Sequence, residues 1–160
     1  MSIELPVRIH ATTIAIEGVA AIIRGPSGAG KSDLALRCLM MSPNALVSGR
    51  VDLVADDYTE LFLQEGAVHA RPPKEIANLL EVRGIGLMEI KALECAKVGL
   101  VVDLVESSAI ERMPDEPKQV DVVGCDFPVV RLCATEASAP AKLLLALDMA
   151  RQHGHLTISS

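Results

Sequence analysis

Apolar and polar positions change rhythm several times along the chain. Residues 7–16, VRIHATTIAI, are rich in strand formers and end at Glu17-Gly18, a turn signal, so they predict a strand. The apolar run VAAIIRG at 19–25 predicts a short buried strand leading straight into a glycine-rich loop. KSDLALRCLMM at 31–41 combines strong helix formers with an apolar stripe and stops before Ser42-Pro43, which predicts a helix. VDLVADD at 51–57 is a second buried strand, and it ends in two carboxylates. YTELFLQ (58–64) and AVHAR (67–71), joined at Glu65-Gly66, predict a hairpin. Pro72-Pro73 predicts the opening of a helix over KEIANLLE, 74–81, since proline suits a first turn.

The second half follows the same logic. GLVVDLVE at 99–106 predicts a strand, and the polar, proline-containing stretch 107–119 an exposed loop or flap. VDVVG (120–124) and FPVVRLC (127–133) supply the last strands. Residues 138–152 predict a closing helix, with Ser138 as its cap and Gly154 as its stop. Strand, loop, helix and strand in this order predict an α/β fold. No repeat or linker divides the 160 residues, so residues 1–160 are expected to form a single domain.

Composition narrows the function classes. Half of the chain is apolar, yet it holds only two Phe, one Tyr and no Trp. Its core must be packed from branched aliphatic side chains, as in covered parallel or mixed sheets. A formal net charge of −6 argues against a general nucleic-acid backbone binder. It leaves nucleotide binding open, because backbone N–H groups can hold phosphates within an acidic protein. Cys38, Cys95, Cys125 and Cys133 are scattered without metal-site spacing and are expected to be reduced structural thiols. The first ten residues lack a signal-peptide pattern, and no apolar run is long enough to span a bilayer. The expectation is a cytoplasmic protein with neither membrane nor nucleic acid as a partner.

The strongest chemical signal is GPSGAGKS at 25–32. Gly25, Gly30, Lys31 and Ser32 are the fixed letters of GxxxxGK[ST], and Pro26, Ser27, Gly28 and Ala29 fill the loop between them. The glycines let the backbone curl until its N–H groups converge on phosphate oxygens. Lys31 can reach the β- and γ-phosphates, and the Ser32 hydroxyl can coordinate magnesium. ATP and Mg²⁺ are the implied cofactors. Asp56 and Asp57, at the end of a buried strand, suit a magnesium ion, or one of them a substrate hydroxyl. A solvated turn after the strand is the plain alternative, and Asp103 in VVD competes for the metal role. No NKxD string follows, so a switch GTPase is unsupported.

GPSGAGKSDLALRCL, LVADD and LLEVRGIGLMEI, in this order and spacing, resemble the HPr kinase/phosphorylase family. The resemblance covers most of residues 5–150. It implies a phosphate-loop domain whose mixed sheets are arranged as in phosphoenolpyruvate carboxykinases. It also implies transfer of phosphate from ATP to a serine of an HPr-like phosphocarrier protein, with inorganic phosphate as acceptor in the reverse reaction. By this likeness Asp56 takes the proton of the serine, and Asp57 occupies the second acidic position, on the metal side with Ser32 and Glu81. Arg83 of the ExRG string holds the loop or neutralises phosphate, and His10 lies near the catalytic aspartate. Arg112, in IERMP, matches a mobile active-site arginine.

The chain also departs from the family. It resembles the short, catalytic-domain-only form found in alphaproteobacteria. The family's PVRPGRN segment is represented by FPVVRLCATEASAP, which keeps Arg131 alone. Phosphorylase activity and homo-oligomeric assembly are therefore less supported than kinase chemistry. The rival readings are a small-molecule kinase with the same loop and a non-catalytic nucleotide or phosphate sensor.

Overall fold

The computed structural model describes residues 5–156. The strands are β1 (Val7–Ile9), β2 (Ala11–Ile16), β3 (Val19–Arg24), β4 (Val51–Ala55), β5 (Thr59–Gln64) and β6 (Ala67–Arg71), followed by β7 (Leu79–Val82), β8 (Gly86–Glu89), β9 (Ala96–Leu104), β10 (Lys118–Val122) and β11 (Cys125–Leu132). The helices are α1 (Lys31–Leu39) and α2 (Ala139–His153). Nine strands form one mixed sheet in the order β1-β5-β6-β9-β3-β2-β4, with β11 joining β9 and β10 joining β11. β9 runs parallel to β3 and β11 and antiparallel to β6, so it is the spine of the sheet. β7 and β8 form a separate two-stranded ribbon. The α/β class with a mixed sheet and few helices is as expected from the sequence.

Strand alternation splits the core in two, because neighbouring side chains point to opposite faces. On β3, Ile23 joins Ile14, Leu34, Leu100, Val102, Leu143 and Leu147 beneath the two helices. Ile22 instead joins Val54, Leu61, Val68 and Val101 on the other face. Each fully buried Ile or Leu contributes about 1.5–3 kcal/mol, so aliphatic packing dominates in a core almost without aromatics. Gly99 lets β3 and β9 approach: a Cβ there would lie 2.5 Å from Val19 Cγ1. All four cysteines are free, and burial pushes the Cys38 thiol up to about 12.

Three local expectations are corrected. Residues 7–16 divide at His10, where β1 pairs with β5 and β2 with β3 and β4. KEIANLLE forms one 3-10 turn at Lys74–Ile76 and then β7, rather than a helix. Ala77 is extended and Asn78 left-handed, at φ 62°. The Asn78 carbonyl accepts from Ile90 N–H at 2.9 Å, and its Oδ1 from Ala92 N–H at 2.9 Å. Those bonds, with Leu80 fully buried, override the helix propensity of the segment. Ser138 does stand at the N-cap of α2, but it caps through its carbonyl, which accepts Lys142 N–H at 2.9 Å, and not through its side chain; Pro140 follows in the first turn. Gly154 does end α2 in a left-handed conformation, φ 75°. Among the described residues, no helix is long and apolar enough to cross a membrane.

Candidate active site

β3 delivers its last residue, Arg24, to the mouth of the glycine loop, and α1 begins at Lys31 on the far side. Gly30 sits at φ 96°, a conformation suited to glycine, and its carbonyl accepts the first helical N–H from Leu34 at 2.9 Å. Ala29 N–H bonds to Pro26 O at 3.0 Å, which closes the loop on itself. The loop therefore stands at the positive end of a helix. Lys31 is buried, and its Nζ donates to Gly25 O at 2.7 Å and Pro26 O at 3.0 Å. Desolvation lowers its pKa, against the opposing pull of the Asp57 and Asp56 charges.

Asp56, at the end of β4, is buried and joins four segments. Its Oδ1 accepts from Ser32 Oγ at 2.5 Å and from Thr12 Oγ1 at 3.0 Å, while Oδ2 accepts from Glu81 N–H at 3.1 Å. The loop serine, β2 and the β7–β8 ribbon are thus all anchored on one carboxylate. Asp57 turns away. It is left-handed at φ 66°, its side chain is 59% exposed, and its Oδ1 lies 2.9 Å from His10 Nε2. An ionised carboxylate only accepts, so His10 carries a proton on Nε2 in this pair. The His10 ring also lies 5.2 Å from the Tyr58 ring.

The open competition for the metal role is narrowed by Asp103. Both its oxygens are held by Arg24, with Nε–Oδ1 at 2.8 Å and Nη2–Oδ2 at 2.9 Å. Asp56, Asp57, Ser32 and Glu81 remain as hard oxygen donors, of the kind magnesium takes beside substrate phosphates. Among the described residues no three acidic, His or Cys side chains are gathered as a metal site, and only Ser32 Oγ and Asp56 Oδ1 meet directly.

Other expected residues are less closely gathered. Glu81 is tied to Asp56 through its backbone, while Arg83 lies exposed in the β7–β8 turn without an ion-pair partner among the described residues. Arg112 lies in the 107–119 flap, on a cavity of about 770 Å³ between flap, β11 and α2, and no hydrogen bond links it to the loop or the acid pair. Arg131 lines the same cavity. A smaller cavity of about 320 Å³ opens beside His10. Sequence reasoning did not single out Thr12 and Arg24. Thr12 had one legible signal, a hydroxyl residue within the apolar run ATTIAI, and the structure buries it fully.

A strand ending in a glycine loop, a helix starting at the loop lysine and a strand-end carboxylate receiving the loop serine's hydroxyl define an α/β phosphate-loop domain. Residues 3–159 match the family described as HPr Serine kinase C-terminal domain, and the chain belongs to that family. It is 38% identical over 127 residues to the HPr kinase/phosphorylase of Leptothrix cholodnii, covering 72% of this chain and 37% of that protein. Against the HPr kinase/phosphorylase of Verminephrobacter eiseniae it is 37% identical over 136 residues, covering 78% and 40%. The chain thus spans about two-fifths of the length of the curated relatives it matches. The solved Hpr(Ser) kinase/phosphatase from Coxiella burnetii has the same fold, with a TM-score of 0.74 at 18% identity over 91% of this chain and 90% of that one.

Proposed function

We propose that this domain transfers the γ-phosphoryl group of ATP to a serine of an HPr-like phosphocarrier protein, with magnesium as cofactor. The observation that carries the reading is the division of labour between adjacent carboxylates: Asp56 bonded to the loop serine, Asp57 exposed beside His10. A site that only binds nucleotide has no need of the second arrangement.

The geometry favours an exchange of the roles that the family resemblance suggested. Asp56 accepts the hydroxyl of Ser32, the loop residue suited to magnesium, which supports Asp56 on the metal side. Asp57 is the carboxylate that an incoming hydroxyl can reach. When bound, magnesium would neutralise charge on the phosphates, held by Ser32 and Asp56 with Glu81 close by. Lys31 exchanges its bonds to Gly25 O and Pro26 O for phosphate oxygens and disperses charge during transfer. Asp57 accepts the serine proton while His10 fixes the carboxylate. The bond from serine Oγ to the γ-phosphorus forms as the bond to the ADP oxygen breaks. In reverse, an oxygen of inorganic phosphate bonds to the phosphorus of phosphoserine as its bond to serine Oγ breaks, giving pyrophosphate, and the proton that Asp57 takes from the phosphate returns to the departing serine Oγ.

Incubation with Mg-ATP and the HPr-like protein of the same organism, read by intact mass and site mapping, tests the reading. A single phosphate on serine, abolished in Asp57→Asn, is expected. ATP binding without transfer would point to a sensor, and transfer to a metabolite alone to a small-molecule kinase.

A further inference from the structure

The 320 Å³ cavity beside the acid pair is walled by Ile9, Ile22, Leu61 and Val123, with His10 and Arg24 at its polar edge. It shares His10 with the Asp57 pair, so the cavity lies one residue away from the carboxylate proposed to receive the hydroxyl. His10 and Arg24 at its edge have carboxylate partners, while Asp121 has only a backbone one among the described residues. His10 faces Asp57, Arg24 is held in bidentate fashion by Asp103, and Asp121 Oδ1 accepts Gly124 N–H at 3.3 Å. The cavity is therefore lined mainly by apolar side chains, with the Asp121 carboxylate at its rim.

Val123 adds a second, independent observation. It and Gly124 link β10 to β11 as a two-residue turn, at φ 55° and 83°. Such turns take Asn-Gly or Gly-Gly, and a β-branched residue at positive φ is strained. Strain of this kind persists where a site uses the side chain, and Val123 directs its isopropyl group against the cavity and the apolar cluster behind it.

We infer that this cavity is an acceptor subsite, which receives the apolar side chain of a residue next to the acceptor serine, with Val123 as its specificity-determining wall. The inference rests on the kinase reading above. A protein acceptor carries neighbouring residues only 3.8 Å away along the chain on either side of its serine, which is why a side chain, rather than a free ligand, is the occupant.

Val123→Asn tests it, because asparagine suits the left-handed turn while replacing the apolar wall. Val123→Gly keeps the turn and removes the wall altogether. Steady-state transfer to the HPr-like protein should show the acceptor KM rising about tenfold in both variants, with the ATP KM within about twofold and the melting temperature not lowered. Alanine at the apolar residue flanking the acceptor serine should raise KM similarly, and the combined change should be clearly less than additive. An unchanged acceptor KM, a matching rise in the ATP KM, or full additivity would overturn the subsite. Absence of transfer by the unaltered protein would be seen before any variant is made, and would overturn the kinase reading and the subsite with it.

Discussion

The phosphate-loop end of the molecule and the flap end are built in opposite ways. At the loop, Ser32, Thr12 and Glu81 N–H all donate to Asp56, Lys31 is held by the Gly25 and Pro26 carbonyls, and Thr12, Lys31 and Asp56 are buried. At the flap, Arg112 and Arg131 border the larger cavity with no ion-pair partner among the described residues. The first region is organised in advance for charge stabilisation, which gains most when donors need not rearrange. The second has cations free to meet whatever approaches. Asp57 and His10 stand at the edge of the organised region, where a macromolecular acceptor can reach them.

The largest effect that would break this contrast lies in the acid pair. Asp57→Asn is expected to cut transfer by about 10²–10⁴-fold while leaving melting temperature and ATP binding nearly unchanged. Asp56→Asn should behave differently. Its amide would set a donor against one of the Ser32, Thr12 or Glu81 donors, costing about 1–3 kcal/mol of stability, with magnesium-dependent ATP binding lost as well. Calorimetry with and without magnesium separates the two variants. Equal destabilisation in both would remove the distinction between an anchored and a free carboxylate.

A smaller effect belongs to the scaffold alone. Gly99→Ala forces a Cβ against Val19 Cγ1 in the spine of the sheet, and should cost about 1–3 kcal/mol in urea unfolding. The smallest effect sharpens the flap side. Arg112→Ala and Arg131→Ala should each leave stability within about 0.5 kcal/mol and ATP affinity unaltered, and change only the acceptor kinetics. A loss of ATP affinity in Arg112→Ala would mean that the flap reaches the nucleotide.

The parts legible in the sequence were those where chemistry fixes residue type at fixed spacing. The phosphate loop is the clearest case, since its backbone curl requires Gly25 and Gly30 and its charge requires Lys31. Buried strands such as β3 and β9 were legible from apolar content. Residues 74–81 were misread because the helix formers hid Asn78, whose left-handed turn is stabilised by bonds to Ile90 and Ala92, far along the chain. The division between Asp56 and Asp57 could not be read from adjacency. It follows from one backbone angle, φ 66° at Asp57, which sends its side chain outward. The Arg24–Asp103 pair was equally hidden, because 79 residues separate partners that the parallel register of β3 and β9 sets side by side.

The most direct test of the account is phosphate transfer from Mg-ATP to the organism's HPr-like protein, compared side by side for the unaltered chain and Asp57→Asn. One phosphate on one serine is expected with the unaltered chain, and a loss of at least about a hundredfold in the variant, with ATP still bound. Undiminished transfer by Asp57→Asn would contradict the role given to the exposed carboxylate.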